Sequence, residues 1–220
     1  MIYKNIGKRL FDLVVVIPGL VVLSPVLGVV AILVRIKLGQ PILFRQLRPG
    51  LYGNPFTIYK FRTMTDDCDA AGTLLPDSSR LTSFGRFLRG TSLDELPELF
   101  NIAKGEMSLV GPRPLLMRYT PYFTEEEKIR FEVKPGITGL AQISGRNDLV
   151  WDARIAADVS YVRQCSLALD LSIIFKTVGR VLTRQGLQSD PGATMLDFDE
   201  ERRLRLSQNH RDEASSVGQQ

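Results

Sequence analysis

The sequence predicts a mainly α-helical protein with a small β-hairpin or irregular region, an N-terminal re-entrant membrane helix and interfacial amphipathic helices. Three observations predict this fold class: residues 13–34 are one uncharged apolar run, amphipathic helical spacing recurs late in the chain, and β-like runs are confined to residues 44–64. We therefore divide the chain into a membrane helix (1–38), a cytoplasmic domain (39–186) and a polar, flexible C-terminal tail (187–220).

The apolar run from Leu13 to Val34 is long enough for a membrane helix, since it would extend roughly 33 Å at 1.5 Å per residue. A signal peptide and a buried core helix are the alternatives. The run lacks a small-residue cleavage site and is apolar on every face, which favours membrane insertion. Pro25 tends to bend a helix, as does Pro18, and the Ser24 hydroxyl can bond a carbonyl that Pro25 leaves free.

Basic residues flank this run on both sides, and the positive-inside tendency would hold both flanks in the cytoplasm. The sequence therefore favours a re-entrant hairpin, bent at Ser24 and Pro25, over a spanning helix. We assign Arg9, Ser24 and Pro25 to positioning in the membrane. The flanking basic residues are Lys4, Lys8, Arg9, Arg35, Lys37, Arg45 and Arg48.

The remaining elements follow from turn residues and helical spacing. Two turns, at Pro49-Gly50 and Gly53-Asn54-Pro55, predict a hairpin, and a polar loop follows it. Thr124, followed by three glutamates, predicts the N-cap of a helix. No internal repeat and no parallel-sheet alternation is evident. Further helices are predicted at 81–90, 97–104, 151–164 and 166–184.

The predicted helix 166–184 carries apolar residues on one face and a basic stripe of Lys176, Arg180 and Arg184 on another. Two interpretations stay open: a terminal helix packed on the core, or a helix lying at anionic lipid headgroups. The apolar face comprises Leu171, Ile174, Phe175, Val178, Val181 and Leu182.

The composition limits the kinds of catalytic and metal site that the protein can form. The only histidine, His210, lies in the polar tail, which nearly excludes a Ser-His-Asp or Cys-His site. Two distant cysteines, Cys68 and Cys165, cannot build a zinc site. The net charge of +4 favours anionic partners such as phosphate esters. Basic and acidic residues are interspersed, so nucleic acid is not expected. An enzyme with this sequence must use carboxylates and arginines.

Asp94 and Glu95 are the leading carboxylates. Ser92 and Glu95 match a capping box, in which the acidic residues only complement a helix start. Alternatively, free N–H groups there would favour a phosphate, and a phosphate beside a carboxylate requires Mg²⁺ or basic side chains. A carboxylate can also attack phosphorus. The candidate phosphate ligands are Lys60, Arg62, Arg89, Arg113 and Arg146.

Several motifs together resemble one family, the bacterial monotopic polyprenyl-phosphate glycosyl-1-phosphate transferases, or bacterial sugar transferases. The resemblance covers roughly residues 4–184 in the family's order. The motifs are KRLFD at Lys8–Asp12, the Ser24-Pro25 pair, YKFRTM at Tyr59–Met64, LRGTSLDELPELFNIAKGEMSLVGPRP at Leu88–Pro114 and KPGITGLAQISGRN at Lys134–Asn147.

The resemblance implies a catalytic domain in which Asp94 attacks the β-phosphorus of a UDP-sugar, releases UMP and holds the sugar-phosphate until polyprenyl (undecaprenyl) phosphate accepts it. It implies Mg²⁺ in contact with Asp94, with Glu95 ordering the metal or the nucleophile. Arg113 and Arg146 would lie near the nucleotide or phosphates, as would Lys60 and Asp158. The expected location is the cytoplasmic face of the bacterial inner membrane, among membrane lipids, with a homodimer as one assembly.

Two other functions compete with this one. A non-catalytic membrane-anchored assembly protein would use the basic faces for partners, and a membrane pyrophosphohydrolase would release UMP without a lipid acceptor. The sugar is not identified by any residue in the sequence.

Overall fold

The computed structural model describes residues 3–145, 150–183 and 196–217. A π-helical turn at Tyr3–Gly7 leads into the first helix, and short 3₁₀ turns connect later elements. The elements are α1 (Lys8–Lys37), β1 (Leu43–Pro49), β2 (Pro55–Phe61), α2 (Asp77–Arg80), α3 (Ser83–Gly90), α4 (Glu98–Lys104), β3 (Ser108–Val110), β4 (Gly136–Thr138), α5 (Leu140–Ser144), α6 (Trp151–Gln164), α7 (Leu167–Thr183) and α8 (Phe198–Val217).

Helix α1 continues through both of its prolines and is, among the described residues, the one helix long and apolar enough to cross a membrane. The Ser24 hydroxyl donates to the Val21 carbonyl at 2.8 Å. In a regular helix that carbonyl would accept from residue 25, where proline has no N–H. The predicted compensation by Ser24 is therefore confirmed, although the helix assignment contains no break there.

The first turns of α1 are held on the globular domain by polar contacts. Lys8 pairs with Asp170 at 2.7 Å, and both side chains are buried. The Asp12 carboxylate accepts from the Ser108 hydroxyl and the Leu109 amide, each at 3.0 Å. These contacts tie the start of the helix to both β3 and α7.

The last turns of α1 are held on the same domain by apolar contacts. Val30 and Val34 are buried in a cluster with Phe61 of β2 and Leu88 of α3. Much of the intervening helix surface is exposed and apolar: Val14, Ile17, Val21, Val22, Val29, Ile32 and Ile36 are each at least 48% accessible. The two ends of α1 thus pack on one body, while a continuous apolar surface stays uncovered.

The predicted hairpin is confirmed, because β1 and β2 pair antiparallel with Leu43 opposite Phe61. A second sheet was missed: β3 and β4 pair parallel, with Ser108 opposite Gly136. Each of these strands has three residues, so neither is long enough to show an alternating or continuous apolar pattern.

The helices at 151–164 and 166–184 are confirmed as α6 and α7. Thr124 makes the predicted capping contacts: its amide donates to Glu127 at 2.8 Å, and the Glu127 amide donates to its hydroxyl at 3.3 Å. The N-cap position itself is Glu126. The helix that follows, Glu127–Glu132, is a short 3₁₀ helix rather than a longer α-helix.

The C-terminal segment carries an aromatic contact that its polar composition conceals. Phe198, at the start of α8, is fully buried against Tyr119, Phe123 and Trp151. The Trp151 indole N–H donates to the Leu196 carbonyl at 2.9 Å. The interpretation of residues 187–220 as one polar tail missed this contact, because a single apolar residue in a polar segment forms no periodic pattern.

Candidate active site

The predicted capping box at Ser92 is wrong. Ser92 has a left-handed backbone, with φ of 56°, and its side chain makes no capping hydrogen bond. A short 3₁₀ turn, Leu93–Glu95, follows it, and α4 then starts after Pro97. The two acidic residues therefore occupy a tight turn ahead of α4, where their side chains reach different surroundings.

Glu95 is held by two cations. Its Oε1 atom lies 2.6 Å from Lys60 Nζ on β2 and 2.6 Å from a terminal nitrogen of Arg113. Burial opposes ionisation of Glu95, but the two cations outweigh it, so the pKa of Glu95 is held below its ordinary value. Glu95 is thus an ionised carboxylate whose oxygen is committed to orienting Lys60 and Arg113.

Asp94 is surrounded differently. It is only 8% exposed, and among the described residues none donates a hydrogen bond to its carboxylate. Burial raises the pKa of Asp94, as does the adjacent charge of Glu95, while Lys60, Arg89 and Arg113 act in the opposite direction. The raised pKa makes this carboxylate more basic than a solvated aspartate, which favours nucleophilic attack once it is ionised.

Glu98, which the sequence analysis did not single out, is a third carboxylate of the site. It is 1% exposed, and its Oε1 lies 3.1 Å from Lys60 Nζ without hydrogen-bond geometry. Burial raises the pKa of Glu98, despite the opposing effect of Lys60. The available signal was its position one turn after Glu95 in the motif DELPE.

The backbone before Arg113 is fixed by close approach to the loop that precedes β4. A Cβ on Gly111 would lie 2.4 Å from the Lys134 carbonyl oxygen, and one on Gly136 would lie 2.1 Å from the Gly111 amide nitrogen. Only glycine permits these contacts. The motifs around Gly-Pro-Arg-Pro and Lys-Pro-Gly therefore pack on each other, and the Arg113 side chain remains 42% exposed.

Asp158 lies away from the two acidic residues and pairs instead with Arg130, whose nitrogens are 2.8 and 3.3 Å from one carboxylate oxygen. Arg130 also donates to the Arg113 carbonyl at 2.9 Å. The structure thus brings Asp158 to the site only indirectly, as the counter-ion of a residue that holds the backbone of Arg113.

The other predicted basic residues differ in how many hydrogen bonds their side chains already make within the protein. Arg62 is buried and occupied by the carbonyls of Met64 and Gln40 and by Asp66. Arg89 uses its Nε on Thr63 at 3.1 Å, and no other hydrogen bond of its side chain is made to the described residues. Arg146 lies outside the described residues. Lys60, Arg89 and Arg113 are therefore the cations near Asp94.

The residues assigned to the membrane lie on α1. Arg9 donates to the carbonyl of Ala103, near the end of α4, at 2.8 Å. Pro25 lines an apolar cavity of about 360 Å³ between α1 and α3, together with Leu33, Phe87 and Leu93. Leu93 directly precedes Asp94, so the cavity and the carboxylate share one turn.

The donor set fits Mg²⁺ in one respect. Mg²⁺ is commonly bound by one or two carboxylates and by substrate phosphates, with water completing its shell. The Asp94 carboxylate accepts no hydrogen bond from the described residues, so its oxygens are free for a cation. Within those residues no three His, Cys, Asp or Glu side chains form a metal-binding group, so the substrate would have to supply further ligands.

The site thus combines three features: a buried carboxylate that accepts no hydrogen bond from the described residues, three nearby cations and an adjacent apolar groove. The chain matches the family of bacterial sugar transferases over residues 3–184. It therefore belongs to that family, and it is an enzyme of the phosphoglycosyl transferase class.

Individual relatives agree with this family. The uncharacterized sugar transferase EpsL of Bacillus subtilis (strain 168) is 54% identical over 191 residues, which cover 87% of this chain and 95% of EpsL. The UDP-glucose:undecaprenyl-phosphate glucose-1-phosphate transferase of Klebsiella pneumoniae is 42% identical over 181 residues, covering 78% of this chain and 39% of the relative. The undecaprenyl-phosphate galactose phosphotransferase of Salmonella typhimurium is 38% identical, with coverages of 81% and 41%.

Proposed function

We propose that this protein transfers a sugar-1-phosphate from a UDP-sugar to polyprenyl phosphate, giving polyprenyl-diphosphate-sugar and UMP. The observation that carries the proposal is Asp94, a buried carboxylate without a donor among the described residues, beside an apolar groove. The names of the Klebsiella and Salmonella relatives support the two substrate classes.

The reaction proceeds in two displacements at one phosphorus. An Asp94 carboxylate oxygen attacks the β-phosphorus of the UDP-sugar, and the bond from that phosphorus to the bridging oxygen breaks, so that UMP leaves with the electron pair. A phosphate oxygen of the polyprenyl phosphate then attacks the same phosphorus. The bond to the carboxylate oxygen breaks, and free Asp94 is restored.

The surrounding residues hold charge and orientation for these displacements. Glu95 keeps Lys60 and Arg113 at 2.6 Å, which fixes two cations near Asp94 before substrate enters. The half-exposed Arg113 can contact the diphosphate with its other terminal nitrogen. Preorganised positive charge of this kind provides most of the catalysis in phosphoryl transfer. Mg²⁺ bound at Asp94 would offset further negative charge on the diphosphate.

The groove between α1 and α3 is suited to the isoprenoid chain of the acceptor. Its lining is entirely apolar, it opens beside the exposed surface of α1, and it reaches Leu93. A polyprenyl chain lying there would bring its phosphate toward Asp94 without leaving the membrane. A soluble acceptor would gain nothing from such a lining.

The packing of α1 supports a monotopic protein on the cytoplasmic face of the bacterial inner membrane. Lys8 and Val34 lie near opposite ends of α1 and both pack on the same globular domain. A helix that crossed the bilayer could not return its second end to that domain. Val22 and Ile36 remain exposed for lipid. A re-entrant bend at Ser24 and Pro25 is the arrangement that we propose.

Helix α7 supports an interfacial position of the same domain. Its Ile173 is buried in the core, whereas Phe175 and Val178 are 73% and 50% exposed beside Lys176. An exposed apolar stripe next to basic residues favours binding at anionic headgroups over packing on the core. A homodimer stays a prediction.

The decisive test uses purified protein in lipid nanodiscs with Mg²⁺ and a panel of UDP-sugars. Without acceptor, we expect at most one UMP per protein and a covalent sugar-phosphate adduct by intact mass. Addition of polyprenyl phosphate should start multiple turnovers, and EDTA should stop them. No adduct under trapping conditions would contradict the covalent step, while continued UMP release without acceptor would indicate a pyrophosphohydrolase. Absence of product with every sugar would favour the assembly protein.

Topology is tested separately by cysteine labelling. Cys68 is exposed in the globular domain and serves as an internal reference for the cytoplasmic side. Single cysteines introduced at Lys4 and Gln40, after replacement of both native cysteines, should label from the same side as Cys68 in a variant that keeps only that cysteine. Labelling of the two positions from opposite sides would exclude the re-entrant arrangement.

A further inference from the structure

The C-terminal segment contacts the catalytic domain through an aromatic cluster that leads toward the site. Phe198 is 0% exposed, and its ring stacks on Phe123 at 4.9 Å between centroids, with an interplanar angle of 28°. The guanidinium of Arg130 lies over the Phe123 ring, 5.1 Å from its centroid. Phe123 therefore contacts both Phe198 and the guanidinium of Arg130.

Arg130 connects this cluster to Arg113. It donates to the Arg113 carbonyl at 2.9 Å, and its charge is balanced by Asp158 at 2.8 Å. Arg113 in turn contacts Glu95 at 2.6 Å. A continuous series of contacts thus runs from Phe198 through Phe123 and Arg130 to the cation that faces the diphosphate.

Polar contacts fix the segment in the same place. The Tyr119 hydroxyl donates to Asp197 at 2.8 Å, Arg118 also pairs with Asp197, and Trp151 donates to the Leu196 carbonyl at 2.9 Å. Tyr119 belongs to the 3₁₀ helix Met117–Tyr122, which begins shortly after Pro114. The docked segment therefore restrains both the chain that follows Arg113 and the arginine that holds its carbonyl.

We propose that Phe198 is a positioning residue for Arg113, and that docking of the C-terminal segment sets the affinity of the site for the UDP-sugar. This inference rests on the proposed function. The lipid groove is lined by α1, α3 and Leu93, none of which contributes to the aromatic cluster. Docking should consequently affect the nucleotide substrate and leave the lipid substrate unaffected.

The experiment measures KM for both substrates with the full chain in nanodiscs, using the UDP-sugar that the wild type turns over. Phe198→Ala should raise KM for the UDP-sugar about 10-fold, within the usual range of coupling between sites, and leave KM for polyprenyl phosphate within twofold. Phe198→Leu should restore most of the affinity. Leu204→Ala is the matched control, since Leu204 is on α8 but 51% exposed.

A second variant covers the case in which Phe198→Ala does not fold. Asp197→Asn weakens docking without opening a cavity, because the Asp197 side chain is 47% exposed. It should raise KM for the UDP-sugar about threefold, a smaller change because one contact among several is lost. Trp151 is the only tryptophan, so a red-shifted emission reports that the segment has undocked.

A double-mutant cycle tests the route through Arg113. In an Arg113→Lys background, Phe198→Ala should add less than twofold to KM for the UDP-sugar, because the group that it positions is already altered. Full additivity, an unchanged KM in both docking variants, or equal changes in both KM values would overturn the proposal. A wild type without turnover would instead overturn the proposed function, so the two failures are distinguishable.

Discussion

Asp94 and Asp158 are both buried aspartates, and the resemblance to a known family assigned Asp94 as the nucleophile and Asp158 to substrate binding. Their surroundings differ. Asp158 accepts two hydrogen bonds from Arg130, at 2.8 and 3.3 Å. Asp94 accepts none from the described residues. Lys60, Arg89 and Arg113 lie close enough to oppose the rise that burial causes in its pKa. Asp158 is paired with an arginine, whereas no described residue donates a hydrogen bond to Asp94.

The difference distinguishes a carboxylate engaged in an ion pair from one to which no described residue donates a hydrogen bond. A buried charge without a partner costs stability, so its retention indicates a role outside folding. Removing one partner of a buried pair, by contrast, is strongly destabilising, because it leaves the other charge uncompensated. Burial is common to both residues and therefore identifies neither. The direct contacts distinguish the two aspartates, and they predict opposite effects of mutation on stability.

The largest effect is expected for Asp94→Asn. Loss of the nucleophile should reduce turnover by about 10³-fold or more. The melting temperature should stay the same or rise, because a neutral amide removes a buried charge to which no described residue donates a hydrogen bond. UMP release and thermal unfolding measure the two properties. Turnover within tenfold of wild type would show that Asp94 does not form the intermediate.

Asp158→Asn should lower stability, which is the opposite of the change in stability expected for Asp94→Asn. Arg130 would remain buried without a counter-charge, and the free energy of unfolding should fall by about 3 kcal/mol. Denaturant unfolding measures this loss, and Asp152→Asn is a control at a half-exposed aspartate of the same helix. A stability equal to wild type would mean that the pair does not stabilise the folded protein.

Lys60→Met tests whether cations keep Asp94 reactive. Turnover should fall by about 10²-fold, as for loss of one preorganised stabilising group. The acid limb of the pH profile of kcat/KM should move to higher pH, because Lys60 lowers the pKa of Asp94 and its removal lets that pKa rise. Lys104→Met is the control, since Lys104 contacts Tyr59 rather than a carboxylate. An unmoved acid limb would contradict this assignment.

Glu98→Gln should have the smallest effect, on stability against pH. Burial raises the pKa of Glu98, so the folded protein retains a proton that the unfolded chain loses above the ordinary value of 4.5. Wild-type stability should therefore fall as the pH rises from 4.5 through the folded pKa. The variant should lack this fall and be about 1–2 kcal/mol more stable at pH 8.

The control for Glu98→Gln is Glu132→Gln, which removes an exposed carboxylate paired with Lys4. That variant should keep the wild-type dependence of melting temperature on pH, since an exposed ion pair contributes little. If Glu98→Gln and wild type unfold with the same pH dependence, then Glu98 is ionised in the folded protein.

Local sequence determined much of this protein. The apolar helix of α1, the turns around β1 and β2, and the capping contacts of Thr124 each depend on residues close together in the chain, and the structure contains each of them. The importance of Asp94 could also be predicted, because few other groups in the sequence could do chemistry. These features follow from propensity, spacing and elimination, which do not require knowledge of distant contacts.

The remaining features depend on contacts between residues far apart in sequence, so only the tertiary structure decided them. No local pattern indicates the parallel pairing of β3 with β4, the hydrogen bonds of Arg62 to carbonyls, or the ion pair of Asp158 with Arg130. The docking of Phe198 is similar, since one apolar residue in a polar segment has no periodicity. The sequence by itself determined which groups are candidates for chemistry, while the fold decided that none of the described residues donates a hydrogen bond to the Asp94 carboxylate.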